Sequence, residues 1–147
     1  MSLLGQALGE GAVRIGVKAT DWEAAVRLAG AALVASGRVT DAYTEAMVQI
    51  IRELGPYPVI APGLAMPHAR PSEAVLSTGM SLILLEEPVS FGHPKNDPVR
   101  VVFGLAALDH DRHLELLSEF AGRFADPTFV NSLLSCKDET EIRGLLS

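Results

Sequence analysis

The run Arg100 to Leu108, R-V-V-F-G-L-A-A-L, is apolar at almost every position after the first. A strand with one wet face alternates polar and apolar residues. This one does not, so both of its faces must be covered, as in a central strand with helices above and below. A second run, Gly79 to Leu85 (G-M-S-L-I-L-L), predicts another buried strand that Val89 to Phe91 extends or bends. The chain is thereby restricted to an α/β architecture of three layers, α/β/α, in which a small mixed sheet is flanked by helices.

The remaining segments supply those layers. Val13, Ile15 and Val17 alternate with Arg14, Gly16 and Lys18, the period of a strand with one buried face. Before it, Ser2 to Gly11 is rich in small residues and reads as a short helix or, over residues 1–12, a loosely docked arm. Thr20-Asp21-Trp22-Glu23 has the form of a capping box opened by Thr20. Trp22, Val26, Ala29 and Leu33 then make one helical stripe that Gly37 stops. Thr40 is placed to cap a second helix with the stripe Tyr43, Met47, Ile50 and Leu54, closed by Gly55-Pro56. Arg52 lies in its last turn, off the stripe, where the helix dipole favours a cation. After the central strand, Asp109 to His113 leads into a helix marked by Leu114, Leu117, Ala121 and Phe124, with His113 in its first turn. Asp126-Pro127 opens a short helix to about Leu134, and Asp138 with Glu141 opens a last one carrying Ile142, Leu145 and Leu146. No repeat or linker interrupts this order, so residues 1–147 are expected to form a single domain.

Composition narrows the partners. With 18 acidic against 12 basic residues the net charge is −6, and no basic run offsets it, which argues against nucleic acid. The single cysteine, Cys136, rules out an internal disulfide framework and suits a reducing compartment. Neither a signal peptide nor an apolar run near the roughly 18 residues of a membrane span is present, so a cytoplasmic protein without membrane insertion is expected.

The chemistry concentrates in Ala61 to Pro71, A-P-G-L-A-M-P-H-A-R-P, which holds three of the nine prolines. Pro67 and Pro71 stiffen the backbone on both sides of His68 and push Met66 and Arg70 towards extended geometry. His68 is then displayed on a rigid loop beside a guanidinium. Three readings of the histidines compete. Metal binding by His110, His113 and His68 lacks a recognised ligand spacing, and Asp109 and Asp111 are better placed as helix caps. His93 and His110 read as surface histidines in polar loops. The third reading is phosphoryl chemistry with His68 as nucleophile, because a neutral imidazole accepts a phosphoryl group and cations or a helix N-terminus stabilise its oxygens. No glycine-rich nucleotide motif occurs, and Cys136 has no histidine near it in sequence to activate it.

Gly63-Leu64-Ala65-Met66-Pro67-His68-Ala69 resembles the phosphorylation-site signature of the mannitol/fructose-type (type 2) enzyme IIA components of the bacterial phosphoenolpyruvate:sugar phosphotransferase system. Tyr43 with Arg52-Glu53, Phe91-Gly92 with Asn96-Asp97-Pro98-Val99, and Ala106-Ala107 followed by His113-Leu114 are similar to that family in order and spacing. Pro67 to Pro71 and Glu53 to Tyr57 are most similar to its ascorbate-type branch. Met66 stands where a smaller aliphatic residue is common, and Gly5 to Gly16 is poorly matched. The resemblance implies the family's three-layer fold, no cofactor, and a phosphohistidine at His68 supported by His113 and Arg52. It also implies the phosphocarrier HPr as donor, a cognate enzyme IIB as acceptor, and through it a membrane IIC. Arg70, peculiar to the ascorbate-like form of the motif, becomes a candidate phosphate contact. One ring nitrogen of His68 is expected to be fixed by a backbone carbonyl, leaving the other as nucleophile. Relatives that act as regulatory phosphohistidine switches make the alternative, a binding module that controls a partner without feeding a transporter. Weak, transient complexes are expected, and a homodimer is allowed.

Overall fold

A computed structural model describes residues 2–147. Its elements are α1 (Leu3–Ala7), β1 (Leu8–Val17), α2 (Trp22–Ala35), α3 (Asp41–Leu54), β2 (Val59–Ala61), β3 (Leu64–Ala65), β4 (Gly79–Val89), β5 (Val99–Ala106), α4 (His110–Phe124), α5 (Phe129–Leu134) and α6 (Glu139–Leu146). The strands form one mixed sheet in the order β1-β4-β5-β3-β2. β4 and β5 pair antiparallel, from Gly79 opposite Ala106 to Val89 opposite Val99, while β1 runs parallel to β4 and β3 parallel to β5.

The two apolar runs are therefore the inner strands, and their residues divide between two cores. Ile83, Leu85, Val102 and Ala106 face the layer of α2 and α3. Met80, Leu82, Leu84, Val101, Phe103 and Leu105 face the layer of α1, α4, α5 and α6. On the first face the fit depends on small side chains. Ser81 is buried and donates to the Ala29 carbonyl at 2.8 Å, and a Cβ on Gly104 would stand 2.5 Å from its hydroxyl. α2 and α3 are equally close, since a Cβ on Gly30 would meet Thr44 Oγ1 at 2.2 Å.

Several local expectations are corrected. Of the two readings of the N-terminal segment the short helix holds and the loose arm does not: α1 leads straight into β1, with Leu4, Ala7, Leu8 and Ala12 all buried. The alternation expected from Val13 to Val17 is broken, because Ala12 and Val13 are both buried while Ile15 is exposed. The register against β4 shifts between Leu8 and Val13 and again between Ile15 and Val17, around Gly11 and Gly16, whose φ values are 85° and 68°. Asp21, and not Thr20, caps α2 by accepting from the Ala24 amide at 2.8 Å. Thr40 stands at the start of α3 without a side-chain cap bond. Asp126 holds the turn before α5, which begins at Phe129, while Asp138 caps α6 as expected. Among the described residues no helix is long and apolar enough to cross a membrane.

Candidate active site around His68

The loop that carries His68 is built as an extension of the sheet. Gly63, at φ 74°, turns the chain between β2 and β3, and its carbonyl accepts from the Arg100 and Val101 amides at 3.0 Å. The Gly63 amide in turn donates to the Asn96 carbonyl at 2.9 Å. The adjacent Asp97 gathers the amides of Phe91, Gly92 and His93 at 2.7–3.1 Å, so the loop before β5 braces the one before His68. Beyond β3, the Leu105 amide donates to the Pro67 carbonyl at 3.1 Å and His68 pairs with Leu105 in an isolated parallel bridge. The prolines leave few backbone donors there, and β5 supplies the missing order.

Two tyrosines complete the hold. Tyr43 of α3 is buried; its hydroxyl donates to the Leu105 carbonyl at 2.6 Å and accepts from the Ala69 amide at 3.0 Å. Tyr57, just past α3, donates to the His68 carbonyl at 2.7 Å. Burial pushes both phenols up to about 12, against the smaller opposing effect of their backbone bonds, so both stay protonated as donors near neutral pH. Neither role was legible beforehand: Tyr43 read as one residue of an apolar stripe, and Tyr57 as part of a branch-like stretch without a task.

The imidazole of His68 is half-buried, with Nδ1 2.9 Å from the Met66 carbonyl oxygen. A carbonyl only accepts, so Nδ1 carries the hydrogen and Nε2 presents its lone pair. His113, the fourth residue of α4, brings its ring centroid to 5.2 Å from that of His68. Desolvation holds its pKa below the ordinary 6.5, and the charges of His68 and His110 add to the effect. At neutral pH it is therefore an uncharged imidazole. Both rings line a cleft of about 660 Å³ whose polar wall also includes Tyr57, Arg70, Glu53 and His110, and whose apolar wall is Ile50, Leu54 and Pro71. His110, read as a surface histidine, is thus part of the cleft. His93 instead serves its own loop, its Nδ1 accepting from the Lys95 and Asn96 amides at 3.1 and 3.0 Å.

His68, His113 and Arg70 are therefore brought together, and Arg52 is not. Arg52 is at the end of α3 as expected, but its guanidinium pairs with Glu23 of α2, outside the cleft wall. Glu23 in turn accepts from Arg27 at 3.2 Å, and the bonds from Arg52 and then Arg27 hold its carboxyl below the usual range. Among the described residues no three His, Cys, Asp or Glu side chains are arranged to hold a metal ion. The cleft instead offers one nucleophilic nitrogen, an uncharged imidazole beside it and a guanidinium at its rim, a set suited to holding a tetrahedral anion on His68.

Comparison with known proteins gives this arrangement a family. The family model described as "Phosphoenolpyruvate-dependent sugar phosphotransferase system, EIIA 2" matches residues 6–147. The ascorbate-specific PTS system EIIA component of Escherichia coli (strain K12) is 38% identical over 135 residues, 91% of this chain and 88% of that protein. The solution structure of the mannitol-specific cryptic phosphotransferase enzyme IIA CmtB from Escherichia coli superposes with a TM-score of 0.87 at 30% identity, covering 98% of this chain and 97% of that one. The Escherichia coli enzyme IIA of mannitol, solved in complex with phosphorylated enzyme IIB, gives 0.82 at 29% identity, over 95% and 96% of the two chains. A family match over nearly the whole length, a relative 38% identical over 91% of the chain and a shared mixed sheet converge: the chain belongs to the EIIA 2 family of the phosphoenolpyruvate-dependent sugar phosphotransferase system, and is a phosphotransferase component of it.

Proposed function

We propose that the chain takes a phosphoryl group from phosphorylated HPr onto Nε2 of His68 and passes it to a cognate enzyme IIB in the cytoplasm, for uptake of ascorbate or a related sugar. The observation that carries this reading is the contact of His68 Nδ1 with the Met66 carbonyl, which leaves the Nε2 lone pair as the reactive atom. In the forward step that pair attacks phosphorus in line, the N–P bond of the donor phosphohistidine breaks, and its electrons return to the donor ring. No nucleotide is consumed. The second step repeats the exchange with a cysteine or histidine of IIB as attacking group. The apolar wall of Ile50, Leu54 and Pro71 suits transient protein docking, and Leu54, 69% exposed, is the most exposed large apolar side chain among the described residues.

In this mechanism His113 donates a hydrogen bond to a phosphoryl oxygen and Arg70 adds charge from the rim. Arg52 contributes only by exchanging Glu23 for the phosphoryl group. The ascorbate assignment is supported by the 38% identical relative and by Arg70-Pro71. The test is intact mass after incubation with phosphoenolpyruvate, enzyme I and HPr, with wild type beside His68→Ala. Wild type gains one acid-labile group of roughly 80 Da and the variant gains none. Uptake by the variant would remove His68 as nucleophile. Wild-type uptake without onward transfer to an ascorbate-type IIB would favour a regulatory switch over a transporter component.

A further inference from the structure

The His68–Ala69 peptide is gripped at both ends by phenols. Tyr43 accepts from its N–H at 3.0 Å, and Tyr57 donates to its carbonyl at 2.7 Å. Tyr43 is a core residue of α3, whereas Tyr57 is half-buried and lines the cleft. The ring of Tyr57 also stands at 81° to the His68 imidazole, with centroids 5.6 Å apart. It is presented from a braced turn: its own amide bonds the Gly55 carbonyl at 2.8 Å, and Val59 bonds Pro56 at 3.1 Å. One side chain thus touches the backbone and the ring of the same histidine.

We infer that Tyr57 is a positioning residue that sets the direction of the His68 Nε2 lone pair. Its hydroxyl limits the turn of the carbonyl that follows the histidine, which fixes where Cβ points. Its ring closes one side of the space in which the imidazole could swing away from Met66. The Nδ1 contact with Met66 at 2.9 Å then selects a single tautomer and a single ring orientation. In-line transfer requires that alignment and docking does not, so Tyr57 acts on the rate of transfer and not on the affinity for the donor. The kinetic part of this inference rests on His68 being the phosphoryl acceptor; the structural part does not.

The test is Tyr57→Phe, which keeps the ring and removes the hydroxyl. In unphosphorylated protein, imidazole 15N shifts of wild-type His68 report a dominant Nδ1–H tautomer, and in Tyr57→Phe they move towards a mixture of both. In single-turnover transfer from phosphorylated HPr, the saturating rate falls about three- to tenfold while the half-saturating donor concentration stays within about twofold. Tyr57→Leu, which also removes the ring, falls further on both readouts. A Tyr57→Phe protein with wild-type shifts and wild-type saturating rate overturns the inference, even if it melts earlier, because its role would then be structural alone. If wild type itself takes up no phosphoryl group, the functional reading fails, while the 15N shifts still decide whether Tyr57 orders His68.

Discussion

Burial of His113 in the first turn of α4 disfavours its protonated form, and His68 and His110 add to the effect, so the ring is uncharged at neutral pH. The phosphoryl group proposed on His68 would reverse that balance. It would place close to two negative charges beside a ring whose centroid is 5.2 Å from the acceptor's. The pKa of His113 should therefore rise on phosphorylation, because the new negative charge favours the protonated ring. A pH titration of the His113 ring resonances in the two states measures it directly; an unchanged midpoint would take His113 out of contact with the phosphoryl group. At this scale the family resemblance named His68, His113 and Arg70 together, and all three line one cleft. The tasks of Tyr43 and Tyr57 were not legible, because a side chain that bonds a backbone carbonyl 62 or 11 residues away leaves no local pattern. Arg52 was placed correctly on its helix, but which carboxylate or anion its guanidinium would choose depends on α2, and there Glu23 is the nearer partner.

Between elements, the tightest fit is the crossing of α2 on α3. Gly30 has no room for a methyl group, since its Cβ would fall 2.2 Å from Thr44 Oγ1 and 2.8 Å from Thr44 Cβ. Gly30→Ala must push α3 outward, at a cost of roughly 1–3 kcal/mol, and rotation of the Thr44 hydroxyl cannot relieve it. α3 also carries Tyr43, whose hydroxyl joins Leu105 to Ala69, so the displacement reaches the His68 peptide. Denaturant unfolding and phosphoryl uptake should both decline in this variant, whereas loss of stability with unchanged uptake would show that the site tolerates movement of α3. Helices were legible because their period repeats over many residues, and β4 and β5 because their apolar runs are almost unbroken. The two-residue β3 and three-residue β2 were not, as β3 is set by its pairing with β5, and β2 by its pairing with β3, and neither by its own propensity. The last turn of α3 misled for a related reason: Leu54 keeps the spacing of the apolar stripe but projects beyond the sheet into the cleft.

Taken as a whole, the molecule closes its second core by joining its two ends. Ser2 donates to the Leu146 carbonyl, and the Arg143 guanidinium donates to the Leu8 and Gly9 carbonyls at 2.6 and 2.8 Å. Three layers around a mixed sheet were readable from two apolar strands. The docking of residues 2–12 was not, since the partners of Leu8 and Gly9 lie more than 130 positions further on. Those bonds also explain how β1 keeps its place at an edge of the sheet despite two shifts of register against β4. Arg143→Ala leaves two carbonyls without their charged donor and releases α6 from β1. Its cost should be roughly 2 kcal/mol, the sum of two bonds to a charged group discounted for partial exposure. The loss belongs to the α6 side of the sheet, whereas Nε2 is aimed by β5, α3 and the Tyr57 turn. The variant should therefore melt earlier and, at a temperature where it is folded, take up phosphoryl groups at the wild-type rate. A melting point equal to wild type would mean that Ile142 and Leu146, both fully buried, hold the ends together without it; slower uptake by fully folded protein would mean that the edge strand, through β4 and β5, helps to aim His68.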